Sequence, residues 1–199
     1  MKKLALIFIL CLPVITHAQD NSQTGTNKAL GCTACHGQQG VGSNPEWPNL
    51  AGQHEKYFIK QLNDLKEGTQ RNAPTMAAII ATLNSQDIDD LATYYAKIPI
   101  AQGSTPIKYI QRGEQLYKGG DFNKHITACI ACHGPKGTGN AQAGFPVLSG
   151  QHAAYTIMQL QAFKEGRRTN DLNHIMQDIC NRMNQDDMEA VAHYIEGLY

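Results

Sequence analysis

Apolar positions in this chain recur at helical rather than alternating spacing. Over residues 54–66, Tyr57, Phe58, Ile59, Leu62 and Leu65 follow a period near 3.6, and Gly68 supplies a stop. Residues 152–165 repeat the pattern with Tyr155, Ile157, Met158, Leu160 and Phe163 ahead of Gly166. A later helix is predicted to start at Asn84 or Ser85, either of which can cap it, and to run through Ile88, Leu91, Ala92 and Tyr95. Its counterpart starts near Asn184 and uses Met188, Val191, Ala192 and Ile195. Residues 109–117 form one more candidate helix. No segment alternates apolar and polar residues with period two, so the expected fold is all-α.

The first apolar run has a different meaning. Met1, Lys2 and Lys3 precede an apolar stretch over 4–15, interrupted only by Cys11 and Pro13 and closed by Thr16-His17-Ala18. It is short for a bilayer span and is flanked as a secretory signal is, so residues 1–18 are expected to be a signal peptide cleaved after Ala18. The bulky Leu10 argues against acylation at Cys11. No second stretch approaches membrane length, so an exported, soluble chain is expected. Losing Lys2 and Lys3 leaves a slightly acidic mature chain.

The chain also repeats itself. Cys32-Thr33-Ala34-Cys35-His36-Gly37 returns as Cys129-Ile130-Ala131-Cys132-His133-Gly134 at an offset of 97. Trp47-Pro48-Asn49-Leu50-Ala51-Gly52-Gln53-His54 returns as Phe145-Pro146-Val147-Leu148-Ser149-Gly150-Gln151-His152 at an offset of 98. Gln61-Leu62 and Lys66-Glu67-Gly68 match Gln159-Leu160 and Lys164-Glu165-Gly166 at that same offset. Past a two-residue insertion, Met76, Ile79, Ile80 and Leu83 match Met176, Ile179, Cys180 and Met183 at an offset of 100. Four blocks in one order imply a duplicated unit, with domains over 19–98 and 107–199. Pro99, Gly103, Ser104 and Pro106 mark 99–106 as the linker.

Composition narrows the chemistry. The 199 residues carry 17 Lys+Arg against 17 Asp+Glu, which excludes the basic footprint of a nucleic-acid binder. An apolar content of 42% excludes disorder. Six cysteines are too few for a disulfide scaffold, so their spacing decides their role. Each half is small and rich in loop, and such units usually need help beyond their own side chains to close a core.

Cys-x-x-Cys-His, present twice, is the attachment signature of c-type haem. The thiols of Cys32 and Cys35, and of Cys129 and Cys132, would bond the porphyrin vinyl groups, while His36 and His133 lie where an imidazole meets the iron. A zinc site needs four convergent ligands, which adjacent Cys35 and His36 hardly provide. A thioredoxin-type pair needs neither the histidine nor a second copy. Structural disulfides leave both histidines unexplained.

For the sixth ligand, Met76 and Met176 are the methionines that recur just after the second helix of each unit. Met183, Met158 and Met188 pair with Leu83, Lys60 and Ile88 and read as core filler. His/Met ligation raises the potential and closes the iron to substrates, which is electron-transfer chemistry. Pro48 and Pro146 fall where a carbonyl can hold the ligand imidazole. His54 and His152 read as surface or capping residues, and Cys180 as a buried free thiol. Arg71, Arg167 and Arg168 are taken as solvated, with neutralisation of haem propionates as the alternative. No role is assigned to His125, His174 or His193.

Together these motifs resemble the dihaem cytochrome c4 family, a tandem class I c-type cytochrome. The resemblance spans residues 25–199. It is most specific in Cys129-Ile130-Ala131-Cys132-His133, Gly144-Phe145-Pro146, Gly150-Gln151-His152-Ala153-Ala154-Tyr155 and Gly166-Arg167-Arg168-Thr169-Asn170-Asp171. It implies two all-α cytochrome c domains related by pseudo-twofold symmetry, two covalent haem c groups, and iron ligation by His36 with Met76 and His133 with Met176. It also implies a periplasmic, soluble electron carrier with transient partners, a donor on the quinol–cytochrome c reductase side and a terminal oxidase as acceptor. Loose inner-membrane association fits the same picture. Two departures are expected to matter. Leu30 stands where the family carries an aromatic-bearing helix, so the first helix should be abbreviated, and the loop before Met76 is short. The rival readings are the cytochrome subunit of a dehydrogenase complex or a dihaem peroxidase.

Overall fold

The computed structural model describes the backbone over residues 21–199 and side chains from Gly25 onward. The leader expected over 1–18 lies outside the described residues. The first half contains α1 (Asn21–His36), α2 (Glu55–Glu67), α3 (Pro74–Ala81) and α4 (Ser85–Ala96). The second contains α5 (Ile107–Lys118), α6 (Ile130–His133), α7 (Ala153–Lys164), α8 (Ile175–Asn181), preceded by a 3-10 turn at Leu172–His174, and α9 (Gln185–Glu196). Residues 99–106 carry no helix. Among the described residues there is no strand, only two isolated bridges in loops, Asp121 with Ile126 and Asn140 with Phe145.

Local chemistry sets the boundaries. Asn84 and Asn184 each close a capping box, accepting from the backbone N–H of Asp87 at 2.9 Å and of Asp187 at 2.8 Å. Gly68 ends α2 in the left-handed region at φ 71°, where its N–H reaches Asp64 O. The twin Gly166, at φ 69°, sits one residue beyond the Glu165 that caps α7.

The first helix is not abbreviated. It runs unbroken into Cys32-Thr33-Ala34-Cys35-His36, whereas the second half spends a loop after Gly119 and Gly120 before the short α6 carries Cys132 and His133. What holds α1 is its packing on α4, as α5 packs on α9. A Cβ on Gly25 would stand 2.4 Å from Asp90 O, and one on Gly113 would stand 2.4 Å from Ala190 O. Glycine at these positions lets the backbones touch, so tertiary contact overrides the weak helix preference of the surrounding polar residues.

Each half closes its own core. Phe58, Leu62, Ile80, Ile88, Leu91 and Tyr95 pack with Ala29 in the first, and Leu116, Tyr117, Leu160, Phe163, Met188, Val191 and Ile195 in the second. Cys180 and Met183 belong to the second core, both buried. Two separate cores define two lobes.

Candidate cofactor site

Between these cores lies a cavity of about 1520 Å³ that both lobes line. Its wall includes Cys32, Cys35, His36 and Met76 from one lobe and Cys129, Cys132, His133 and Met176 from the other. The eight residues singled out by spacing and repeat are therefore brought to one chamber. Met76 and Met176 also pack against the core of their own lobe. Met183 lines the wall too, yet it is almost wholly buried in the second core. Met158 lines the chamber from α7.

The histidines are held in matching ways. His36 Nδ1 lies 2.8 Å from Pro48 O and His133 Nδ1 lies 3.0 Å from Pro146 O. A carbonyl can only accept, so Nδ1 carries the proton and Nε2 keeps its lone pair. His36 Nε2 is buried with no hydrogen-bond partner. An orphaned acceptor of this kind costs free energy unless something else coordinates it. Burial pushes both imidazoles below their ordinary pKa against the opposing pull of the proline carbonyls, favouring the neutral, ligating form. The four motif cysteines carry free thiols, and burial raises that of Cys129 to about 12.

Polar groups cross the seam between the lobes. Gln53 Nε2 donates to Val147 O at 3.0 Å while its Oε1 accepts from Val147 N at 3.0 Å. Gln151 answers with Asn49 O at 2.9 Å and Asn49 N at 2.8 Å. His54 and His152 are not surface caps: their Nε2 atoms reach Thr138 O at 2.8 Å and Gly42 O at 2.9 Å in the opposite lobe. This reciprocity is the pseudo-twofold expressed as hydrogen bonds. The repeated Gly-Gln-His signalled it, but a repeat does not reveal whether a retained side chain serves its own lobe or its twin.

Two arginines expected at the surface are instead drawn into this seam. Arg168 is 5% exposed and donates to Tyr57 Oη at 2.9 Å, Gln159 Oε1 at 2.8 Å and Gln61 Oε1 at 3.0 Å. Arg71 donates to Tyr155 Oη at 2.6 Å and to Gln61. Burial would raise the Tyr57 phenol, but Arg168 and Arg71 outweigh it and hold its pKa down. Among the described residues neither guanidinium bonds a carboxylate, although both line the chamber. A buried Arg168 and a half-buried Arg71, neither in direct contact with a carboxylate, favour anions inside the cavity. Arg167 alone matches the surface expectation, exposed and paired with Glu165.

Free thiol pairs, the orphaned Nε2 of His36, thioethers and guanidiniums bonded to neutral oxygens match a porphyrin with vinyl groups, iron and propionates. Fold and site thus define a tandem c-type cytochrome, and the Cytochrome c family model matches residues 26–98 and again 110–198. Cytochrome c4 of Pseudomonas aeruginosa is 41% identical over 196 residues, covering 98% of this chain and 97% of that protein. The crystal structure of reduced recombinant cytochrome c4 from Pseudomonas stutzeri superposes with a TM-score of 0.86 at 40% identity, over 89% of this chain and 98% of that one. A protein of Stutzerimonas stutzeri named thiosulfate dehydrogenase electron acceptor is 36% identical over 205 residues, covering 98% of this chain and 94% of its own length. The chain belongs to the cytochrome c4 family: it is a dihaem electron carrier with covalently bound haem c.

Proposed function

We propose that the protein works in the periplasm as a soluble shuttle, taking electrons on the quinol–cytochrome c reductase side and delivering them to a terminal oxidase, and that it is not itself an enzyme. The leader-like 1–18 supports export. Among the described residues no helix is long and apolar enough to cross a membrane. Bound haem c supplies a reversible Fe(III)/Fe(II) couple. The chain's own part is to fix that couple in place. Cys32, Cys35, Cys129 and Cys132 would tether it through thioether bonds. His36 and His133, oriented by Pro48 and Pro146, would offer Nε2 to the iron, and Met76 and Met176 would offer sulfur. Apolar walls exclude water, which keeps reorganisation small on electron transfer.

The observation that carries this reading is the buried, unpartnered Nε2 of His36, held by its Nδ1 contact in a chamber that a methionine also lines. An iron closed on both sides serves electron transfer and denies peroxide a coordination position. The test is the long-wavelength thioether-to-iron band of the oxidised holoprotein. Met76→Ala and Met176→Ala should each remove about half of it, while Met183→Ala leaves it intact. Five-coordinate, peroxide-reactive iron in the native protein would overturn the shuttle role.

The similarity to a thiosulfate dehydrogenase electron acceptor favours one second reading, an electron outlet for a dehydrogenase. Mild extraction decides between them. A stable catalytic partner that co-purifies and reduces the haems supports the outlet, whereas a free carrier oxidised by oxidase-bearing membranes supports the shuttle.

A further inference from the structure

The two candidate methionines are held differently. In the first lobe α3 starts at Pro74 with Ala73 before it, and no side chain caps it. Met76 N is satisfied only by the local carbonyl of Ala73, at 2.9 Å. In the second lobe two extra residues bring Asn173 and His174 into successive left-handed conformations, at φ 51° and 57°. Such backbone is costly for residues with a Cβ and persists only when its surroundings hold it. Asp171 provides that hold. Its Oδ2 accepts from Met176 N at 2.8 Å and from Gln177 N at 3.1 Å, and its Oδ1 accepts from Gln177 Nε2 at 2.7 Å. A carboxylate thus fixes the backbone of Met176 itself, through charge-assisted bonds for which the first lobe has no counterpart.

We propose that Asp171 is a positioning residue that clamps Met176 against its iron, so that the second haem site is the closed one and the first, around Met76, is the site at which an external ligand displaces the thioether. The proposal rests on the reading of Met76 and Met176 as axial ligands. The geometry separates the two sites by how firmly the ligand's main chain is tied, with no difference needed in the ligand atoms.

Imidazole, a small neutral competitor for the iron, tests it in the oxidised holoprotein. With Met76→Ala the surviving thioether band reports the second site alone; with Met176→Ala it reports the first. The expected result is that imidazole abolishes the first-site band at lower concentration than the second-site band. Adding Asp171→Ala in the Met76→Ala background should lower the half-displacement concentration at least about tenfold, the scale of a lost hydrogen bond to a charged group. Asp171→Asn keeps an acceptor oxygen and should fall between, which covers the case in which Asp171→Ala fails to fold. In the Met176→Ala background Asp171→Ala should leave the titration unchanged. A second-site midpoint that does not move, or equal shifts in both backgrounds, overturns the clamp while leaving the ligands standing. A full band surviving either methionine substitution overturns the ligand reading and the proposal with it.

Discussion

Arg168 gives up most of its exposure to water on reaching the chamber, stacking 4.4 Å over Phe163 and bonding four oxygens from both lobes. Neutral acceptors satisfy its donors but not its charge. With propionates in the chamber, that charge stabilises whichever iron state is less positive, which is the reduced one. At an effective dielectric constant near 20, a unit charge at roughly 10–15 Å is worth on the order of 1 kcal/mol. Arg168→Gln should therefore lower the haem potentials by roughly 30–60 mV, since 59 mV corresponds to a tenfold change for a one-electron couple. Arg167→Gln, on an exposed side chain paired with Glu165, should move them little because solvent screens it. Spectroelectrochemical titration of both variants checks the pair, and equal shifts would remove Arg168 from the haem environment. The difference between these adjacent arginines was invisible in the sequence, where both read as surface cations. What separates them is which one faces Tyr57 and Gln61 from the other lobe.

At the scale of elements, much was legible because its causes are local. Capping boxes at Asn84 and Asn184, the stop at Gly68 and the two haem motifs depend on neighbours within a few residues. The first helix was not legible for the opposite reason. Asn21, Ser22, Thr24, Gly25 and Thr26 are poor helix formers, and α1 persists because Gly25 lets it lie directly on α4. Gly25→Ala would push a methyl group to within 2.4 Å of Asp90 O. Relieving that clash requires the helices to part, at a cost of roughly 1–3 kcal/mol. Chemical denaturation of the holoprotein should show that loss in the first lobe, and Gly113→Ala should show it in the second, against Ala190 O. An unaffected Gly25→Ala protein would mean that α1 holds by its own propensity. The consequence reaches function because α1 carries Cys32, Cys35 and His36 at its end: tilting the helix tilts the imidazole.

At the scale of the molecule, each lobe has a core of its own, so what joins them is the polar seam. Gln53 and Gln151 each pair with both main-chain groups of one residue of the other lobe, donating to its carbonyl and accepting from its N–H, as a neighbouring strand would. Truncating either leaves two backbone groups without partners, and an unsatisfied buried polar group costs about 1–3 kcal/mol. Asn49, 8% exposed, cannot turn to water for compensation. Gln53→Ala and Gln151→Ala should each lower the melting temperature by several degrees, given the roughly 2–4 °C per kcal/mol expected at this chain length. The double variant should do more than add these losses. With both staples gone, the lobes keep their cores but lose much of the coupling that makes them unfold together, and calorimetry should resolve two transitions where the native holoprotein shows one. A single cooperative transition in the double variant would shift the coupling to the other side-chain bonds that cross the seam beside the chamber, among them Arg71–Tyr155, Arg168–Tyr57 and Arg168–Gln61. Either way the seam and the chamber are one structure, because the residues that fasten the lobes stand on the same loops that hold Pro48 and Pro146 against the two imidazoles.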